Sequence, residues 1–549
     1  MPKIPFWVFI VLAVIHFTAV RVDVMDVDAS QYAHMSRDMM ESGNYLHLYD
    51  RGNDYLDKPP FLFWVSALSM KVFGVSNFAY KLPSILFALW AMFATYRLAR
   101  LLYDEQAARM AAFILGCCQG MFLMTNDIRT DTILMSWTIT AIWLIKEWDV
   151  KRRLHYLLLG SAAIAFGMMT KGPIAVMVPV FCFVTDWILK REWKKFFHPA
   201  YLLSLLVIVV LLIPMSIGLY QQYDMHPEKV MDGNTGTSGL KFFFWTQSFG
   251  RITGENTWDN GAPFSFLFEN MLWSFLPWIL LFVIAMILNV KELVTQKLRL
   301  NAQQEWLTTG GFILAYLALG SSSYQLPHYI FVVFPLAAIM VAKLLKDFFE
   351  GKYTSLYRIL KPVQIVISVL LLVAALLTFV YVFEAALWTY FVWTAAVIIW
   401  LWAMLKKEVS GKIFWSGAMA IIIANIFMTN HFYFELLKYQ AGSRLGRLIY
   451  QQNIPAENIT IVNMNDALEA MHFYAQRPIK NRVDTLQQIT SGNYLVTSDD
   501  YFATLQKKGI AVDIIDRGAY YKVSELTPEF INPATRAKSL KQYYFLRIK

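Results

Sequence analysis

Only three cysteines occur in 549 residues, Cys117, Cys118 and Cys182, all inside apolar runs. That excludes a disulfide framework and any cysteine-based zinc spacing. Charge is almost as scarce: Asp, Glu, Lys and Arg make up 16% of the chain against 57% hydrophobic residues, which excludes an ordinary soluble protein. No Gly-rich phosphate loop follows a strand-like run, so no nucleotide site is expected, and no repeat of solenoid period occurs. The first apolar run, Ile4 to Val20, lacks a small-residue cleavage site after it. It is expected to remain as an uncleaved helix rather than a signal peptide.

What is present is apolar and aromatic. The mean hydropathy is +0.43 and Phe, Trp and Tyr supply 16% of the residues, as aromatic belts at two bilayer interfaces require. The reading is a polytopic α-helical membrane protein. A span takes roughly 20 apolar residues. Runs of that kind lie near 4–20, 80–101, 109–125, 130–147, 154–169, 172–189, 201–219, 269–289, 306–320, 328–345, 363–383, 387–405 and 412–433. This makes about 13 expected spans.

The loops give an independent check, because short cytoplasmic loops hold the lysines and arginines. One set carries Arg97, Arg100 and Arg109, then Lys146, Lys151, Arg152 and Arg153, then Lys190, Arg191, Lys194 and Lys195, and continues in this way to Lys406, Lys407 and Lys412. The short loops of the other set offer only Arg129 and Lys171. This alternation accounts for most of the formal net charge of +10. It puts the N-terminus in the cytoplasm and the C-terminus outside.

Residues 21–79, 220–268 and the tail from 434 then share the outer face, so they can build one site. Phe61 to Phe73 follows Pro59-Pro60 and is too short to span; it reads as a helix lying in the interface. Two domains are expected: a transmembrane domain over 1–433 and a soluble α/β domain over 434–549. In the latter, Ile459 to Val462, Tyr494 to Thr497, Ala511 to Ile515 and Tyr543 to Ile548 look like strands. Ala467 to Ala475 and Asp499 to Lys508 show helical spacing.

The outer segments carry more polar chemistry than tethering helices requires. The first holds Asp26-Val27-Asp28-Ala29-Ser30-Gln31-Tyr32, then Arg37 and Asp38, then Tyr55-Leu56-Asp57-Lys58-Pro59-Pro60. A carboxylate pair at the mouth of a membrane helix is costly unless it faces water or a substrate. Asn126-Asp127-Ile128-Arg129-Thr130-Asp131 follows at the start of a span. Thr170-Lys171-Gly172-Pro173, Arg251 and Gln325-Leu326-Pro327-His328-Tyr329 lie on the same expected face. Such a convergence is how a pocket for a charged lipid headgroup is lined.

Simpler roles stand beside these. Lys58 and Lys171 also suit snorkelling to headgroups, Asp131 an N-cap, Tyr329 an aromatic belt, and Asp26 and Asp127 solvated positions. His34, His226 and His328 show no ligand spacing, so no metal site is assigned, and divalent metal dependence stays open.

The run from Asp28 through Gln31-Tyr32-Ala33 to Arg37-Asp38-Met39, the Asp57-Lys58-Pro59-Pro60 turn, Asp131, Lys171-Gly172 and Leu326-Pro327-His328-Tyr329 resemble the membrane glycosyltransferases of the glycosyltransferase-C fold. More narrowly, the chain is similar to the bacterial aminoarabinose transferase and protein O-mannosyltransferase superfamily. The resemblance implies a donor sugar on undecaprenyl phosphate, transfer with inversion on the periplasmic side of the inner membrane, and an envelope acceptor such as lipid A. It implies no nucleic-acid partner. Asp28 stands at the position of the first-loop aspartate on which that chemistry depends, with Asp131 beside it. Lys58, Lys171 and Arg251 are expected on the donor phosphate, and Tyr32, Tyr55, Asp57 and Tyr329 on the sugar and first isoprenoid units.

Four positions depart from the aminoarabinose transferases. Ala29 and Gln31 stand where Glu and Arg are usual, Gln247 stands for a His, and a second His before Pro263-Phe264 is missing. The reaction class is untouched, but the acceptor is left between lipid A, a protein hydroxyl and a polysaccharide. A transporter is the competing class, and its ionisable groups belong near the bilayer midplane; here they gather at one face.

Overall fold

The apolar runs become helices, as their length and lack of internal charge dictate. The computed structural model describes residues 4–549 except 232, 248, 249, 254, 256, 257, 302, 407–410, 463–467, 480, 481 and 484–491. The first half holds α1 (Phe6–Phe17), α2 (Asp28–Ser42), α3 (Phe61–Phe73), α4 (Asn77–Leu102), α5 (Glu105–Gly116) and α6 (Gln119–Asn126). It continues with α7 (Thr130–Lys151), α8 (Leu154–Lys171), α9 (Ile174–Lys190) and α10 (Ala200–Leu219). Further long helices include Ile279–Thr295, Leu307–Gly320, Phe334–Phe349, Thr354–Leu377, Leu387–Leu405 and Lys412–Phe427. Among the described residues, six helices are long and apolar enough to cross a membrane, and the pair α5 and α6, bent by 51°, makes seven.

The helices that carry the candidate residues pack on one another: α7 against α4 and α8, α8 against α10, and α2 against α3. Buried alanines, methionines and aromatics fill the core around them, among them Ala91, Ala111, Met135, Phe63 and Phe122. α2 differs from its neighbours. It is polar in composition yet mostly buried, with Ser30, His34, Ser36 and Arg37 enclosed beside Tyr32, Ala33 and Met35, so its polar groups must find protein partners. It stops at Gly43, whose φ of +69° provides the left-handed cap that a side chain resists. The first outer segment then approaches α10 so closely that a Cβ on Gly218 would lie 2.3 Å from the Leu46 carbonyl oxygen. Glycine is required there by the approach.

Short hairpins decorate the outer segments: β1 (Tyr49–Asp50) with β2 (Asn53–Asp54), and β3 (Val230–Met231) with β4 (Asn234–Thr235). The tail contributes β5 (Ile459–Val462), β6 (Arg482–Val483), β7 (Tyr494–Ser498), β8 (Val512–Tyr520) and β9 (Lys541–Ile548), hydrogen-bonded in the order β6-β5-β7-β9-β8. β5 runs parallel to β6 and β7, while β9 is antiparallel to β7 and β8. The helix Ala441–Gln451 lays Leu445 and Ile449 on this sheet beside Ile461, Val496 and Phe545.

The tail is fastened to the first outer segment by polar bonds. Gln440 donates to the Val24 carbonyl at 2.9 Å and accepts from the Asp26 amide at 2.8 Å. The short helix Glu469–Tyr474 packs against α2. The Arg37 guanidinium, fully buried, donates to the His472 carbonyl.

Candidate active site

Asp28 opens α2, where the helix dipole favours a carboxylate. Its Oδ2 accepts from Arg129, the residue immediately before α7, whose Nε also donates to Asp127 Oδ2 at 3.0 Å. Burial opposes the Arg129 charge, but the Asp127 and Asp28 carboxylates outweigh that and raise its pKa above the ordinary value. A guanidinium thus couples the first outer segment to the α6–α7 turn.

The second group forms where α7, α8 and the Leu326-Pro327-His328-Tyr329 turn meet. Lys171, the last residue of α8, donates to Asp131 Oδ1 at 2.5 Å and lies 3.9 Å from the centre of the Tyr329 ring. His328 Nε2 is 3.5 Å from the other Asp131 oxygen. Asp131 makes no cap: α7 carries no side-chain capping bond, and the carboxylate, 1% exposed, is spent on Lys171. Tyr329, 6% exposed, is packed under a cation and faces no lipid belt.

The third group is the turn before α3. Lys58 Nζ bonds Asp57 Oδ2 at 2.5 Å, and the Gln247 amide donates to both the carbonyl and the carboxylate of Asp57. Burial again opposes the Lys58 charge, and here the Asp57 carboxylate outweighs it, raising the pKa. Tyr32 and Tyr55 meet edge-on at Phe63, with ring centroids 5.7 and 6.1 Å from it; burial raises both phenol pKa values.

Electrostatic range joins the three groups. Tyr32 feels the charges of Lys58, Asp28, Asp57 and Arg129, and His328 feels Lys171, Arg129 and Lys58. Asp28, Asp131, Lys58, Lys171, Tyr32, Tyr55, Asp57 and Tyr329 therefore lie around one locus. Arg251 belongs to the short helix Gly250–Thr253, and its side chain lies outside the described residues.

Two residues at this locus carry no role in the sequence reading. Arg129 counts there as a sparse outer cation within the Asn126–Asp131 run, and His328 as a member of the Leu326–Tyr329 motif and a rejected metal ligand. The signal for Arg129 is its position between Asp127 and Asp131 in one turn. Two others need correction. Asp26 and Asp127 are not solvated: Asp26 is 4% exposed and its Oδ1 accepts from Ser30 and from the Ala470 amide at 2.7 Å. Burial pushes its carboxyl up to about 7. Asp127 is engaged by Arg129.

The helical body, the short helix before α4 and the C-terminal sheet together have the glycosyltransferase-C fold, as the likeness to solved structures shows. The comparisons specify it further. The family profile "Dolichyl-phosphate-mannose-protein mannosyltransferase" matches residues 57–217. Over its whole length the chain is similar to ArnT from Cupriavidus metallidurans bound to undecaprenyl phosphate, with a TM-score of 0.72 at 16% identity, covering 98% of this chain and 97% of that one. The Archaeoglobus fulgidus oligosaccharyltransferase superposes with a TM-score of 0.50 at 13% identity, over 90% and 70% of the two chains.

Among curated relatives, the undecaprenyl phosphate-alpha-4-amino-4-deoxy-L-arabinose arabinosyl transferase of Edwardsiella ictaluri is 27% identical over 324 residues, 57% of this chain and 54% of that protein. The enzyme of the same name from Photorhabdus laumondii is 23% identical over 351 residues, 62% and 59% of the two. The matched region spans little more than half the length of these relatives.

Proposed function

We propose that the chain is a glycosyltransferase of the bacterial inner membrane. It moves one sugar, with inversion, from a polyprenyl-phosphate carrier to a periplasmic acceptor. The sugar is 4-amino-4-deoxy-L-arabinose and the acceptor lipid A or a related envelope glycolipid. The names of the relatives favour that donor, and the whole-length likeness to a structure bound to undecaprenyl phosphate favours the carrier. The reading includes about 13 spans, a cytoplasmic N-terminus, and a periplasmic α/β domain over 434–549.

The observation that carries it is the Asp28–Arg129 pair. A carboxylate shared with a guanidinium suits orientation and stabilisation of positive charge on a sugar ring better than proton abstraction. A phosphate acceptor is already ionised and needs no base, whereas a protein hydroxyl does. The leaving group is a lipid phosphate, which needs positive charge more than a proton. Lys58, Lys171 and Arg251 supply it, while Asp131 and Asp57 hold the two lysines in place and the tyrosines border the sugar and the first isoprenoid units.

A second reading keeps the class and changes the acceptor to a protein hydroxyl or a polysaccharide. It is favoured by the family profile's own name and by Gln31 and Gln247, which stand where the aminoarabinose transferases have Arg and His. Mass spectrometry of lipid A and of periplasmic glycoproteins, from cells with the wild-type chain and with Asp28→Asn, decides between them. An Asp28-dependent sugar mass on lipid A supports the first reading. The same mass on protein or polysaccharide alone supports the second, and no Asp28-dependent product at all refutes both.

A further inference from the structure

Three segments distant in sequence bring one ligand atom each to a common point. His34 comes from α2, Asp50 from β1 and Glu469 from the tail, and their ligand atoms all lie within 4.8 Å of one another. His34 Nε2 is 2.9 Å from Glu469 Oε2 and 3.4 Å from Asp50 Oδ1. In a tetrahedral site with bonds of about 2.0–2.1 Å, adjacent ligand atoms stand ~3.3 Å apart, so an ion fits among these atoms with small movements. We propose that His34, Asp50 and Glu469 bind a divalent transition-metal ion that clips the C-terminal segment onto the outer segment bearing Asp28.

The surroundings supply what a metal site needs beyond its ligands. His34 is fully buried, and its Nδ1 has no hydrogen-bond partner among the described residues. The carboxylate nearest that nitrogen is Asp38, with Oδ2 at 3.9 Å. A metal-bound histidine places its other N–H against such a group. A metal on Nε2 would fix the ring with its Nδ1–H directed toward Asp38.

The carboxylates are themselves held. Gln31 donates to Asp50 Oδ2 at 3.0 Å, and Arg51 donates to Asp50 Oδ1 at 2.9 Å and contacts Glu469 Oε1 at 3.2 Å. Outer-shell bonds of this kind fix the direction of ligand oxygens. At the same seam Asp26, which holds the Ala470 amide through Oδ1, leaves Oδ2 buried with no hydrogen-bond partner among the described residues. One imidazole and two carboxylates suit zinc or manganese more than calcium or magnesium, which take all-oxygen shells.

The inference is independent of the transferase reading, because it is tested by metal content. Full-length protein in detergent is stripped with a chelator, equilibrated with zinc and analysed for bound zinc and thermal unfolding. The wild type and His226→Ala, which alters an exposed histidine elsewhere, are expected to hold one zinc per chain and to melt higher when loaded. His34→Ala and the shape-preserving Asp50→Asn are expected to bind at least about tenfold more weakly and to lose the zinc-dependent shift. Zinc binding that is absent from the wild type, or unchanged in a folded Asp50→Asn chain, overturns the proposal and leaves His34 as the centre of an ion-pair network.

Discussion

Replacing Lys171 with methionine separates an ion pair that builds the site from a lysine that merely reaches for headgroups. Asp131 is 1% exposed and receives Lys171 at 2.5 Å. Among the described residues, its second oxygen has only the His328 ring, at 3.5 Å. Removing the ammonium leaves a desolvated carboxylate with no strong partner, which costs about 3–5 kcal/mol. The thermal melt of the purified chain in detergent should fall accordingly. Removing both charges, as Lys171→Met with Asp131→Leu, should restore the melt, because an apolar pair of similar volume replaces a buried ion pair at little cost. Sugar transfer should stay lost in the double variant, since the cation proposed for the donor phosphate is gone. A single variant as stable as wild type, or a double variant whose losses simply add, refutes the pair as buried and coupled and returns Lys171 to snorkelling.

Arg129→Gln removes the only charge bonded to Asp28 among the described residues. It should lower turnover of a polyprenyl-phosphate sugar about a hundredfold with a small change in melting, and full turnover would count against the role given to that pair. Gln247→Ala frees Asp57 from two bonds. A net hydrogen bond of about 1 kcal/mol should appear as a roughly fivefold rise in KM for the donor, with kcat held; a fall in kcat alone contradicts it. Gly218→Ala drives a methyl group into the Leu46 carbonyl. It should destabilise the first outer segment, measured as faster proteolysis between α2 and α3, and unchanged proteolysis would show that the approach is not required.

The helical body was legible because a bilayer imposes a length and a composition on every crossing segment, and runs such as 80–101 and 387–405 carry both. The strands of the tail were legible for a similar reason: Ile459 to Val462 and Tyr494 to Ser498 are short, β-branched or aromatic, and buried. The bend between α5 and α6 left no such mark, since the continuous apolar run 109–125 reads as one span. Within the candidate site, residues near a charged turn or a proline pair could be picked out, among them Asp28, Lys58 and Asp131. Pairings could not. Nothing local says that Arg129 reaches back 101 residues to Asp28, or that Glu469 lies 435 residues from the histidine it touches. Histidine spacing fails as a metal signal for the same reason, since each ligand of the proposed cluster comes from a different element.

Lys81 shows how these long-range pairings are kept in register. It lies in α4, fully buried, and its ammonium contacts the carbonyls of Ala19, Asp23 and Asn126 at 3.2, 3.3 and 2.9 Å. Those carbonyls stand at the end of the first apolar segment, just before Asp28, and at the end of α6, just before Arg129. One ammonium therefore ties together the two backbone segments whose side chains form the Asp28–Arg129 pair. Burying it is expensive unless all its donors are used, and three carbonyl acceptors use them. Lys81 thus acts on geometry, through the backbone, whereas Lys58 and Lys171 each engage a carboxylate side chain, Asp57 and Asp131.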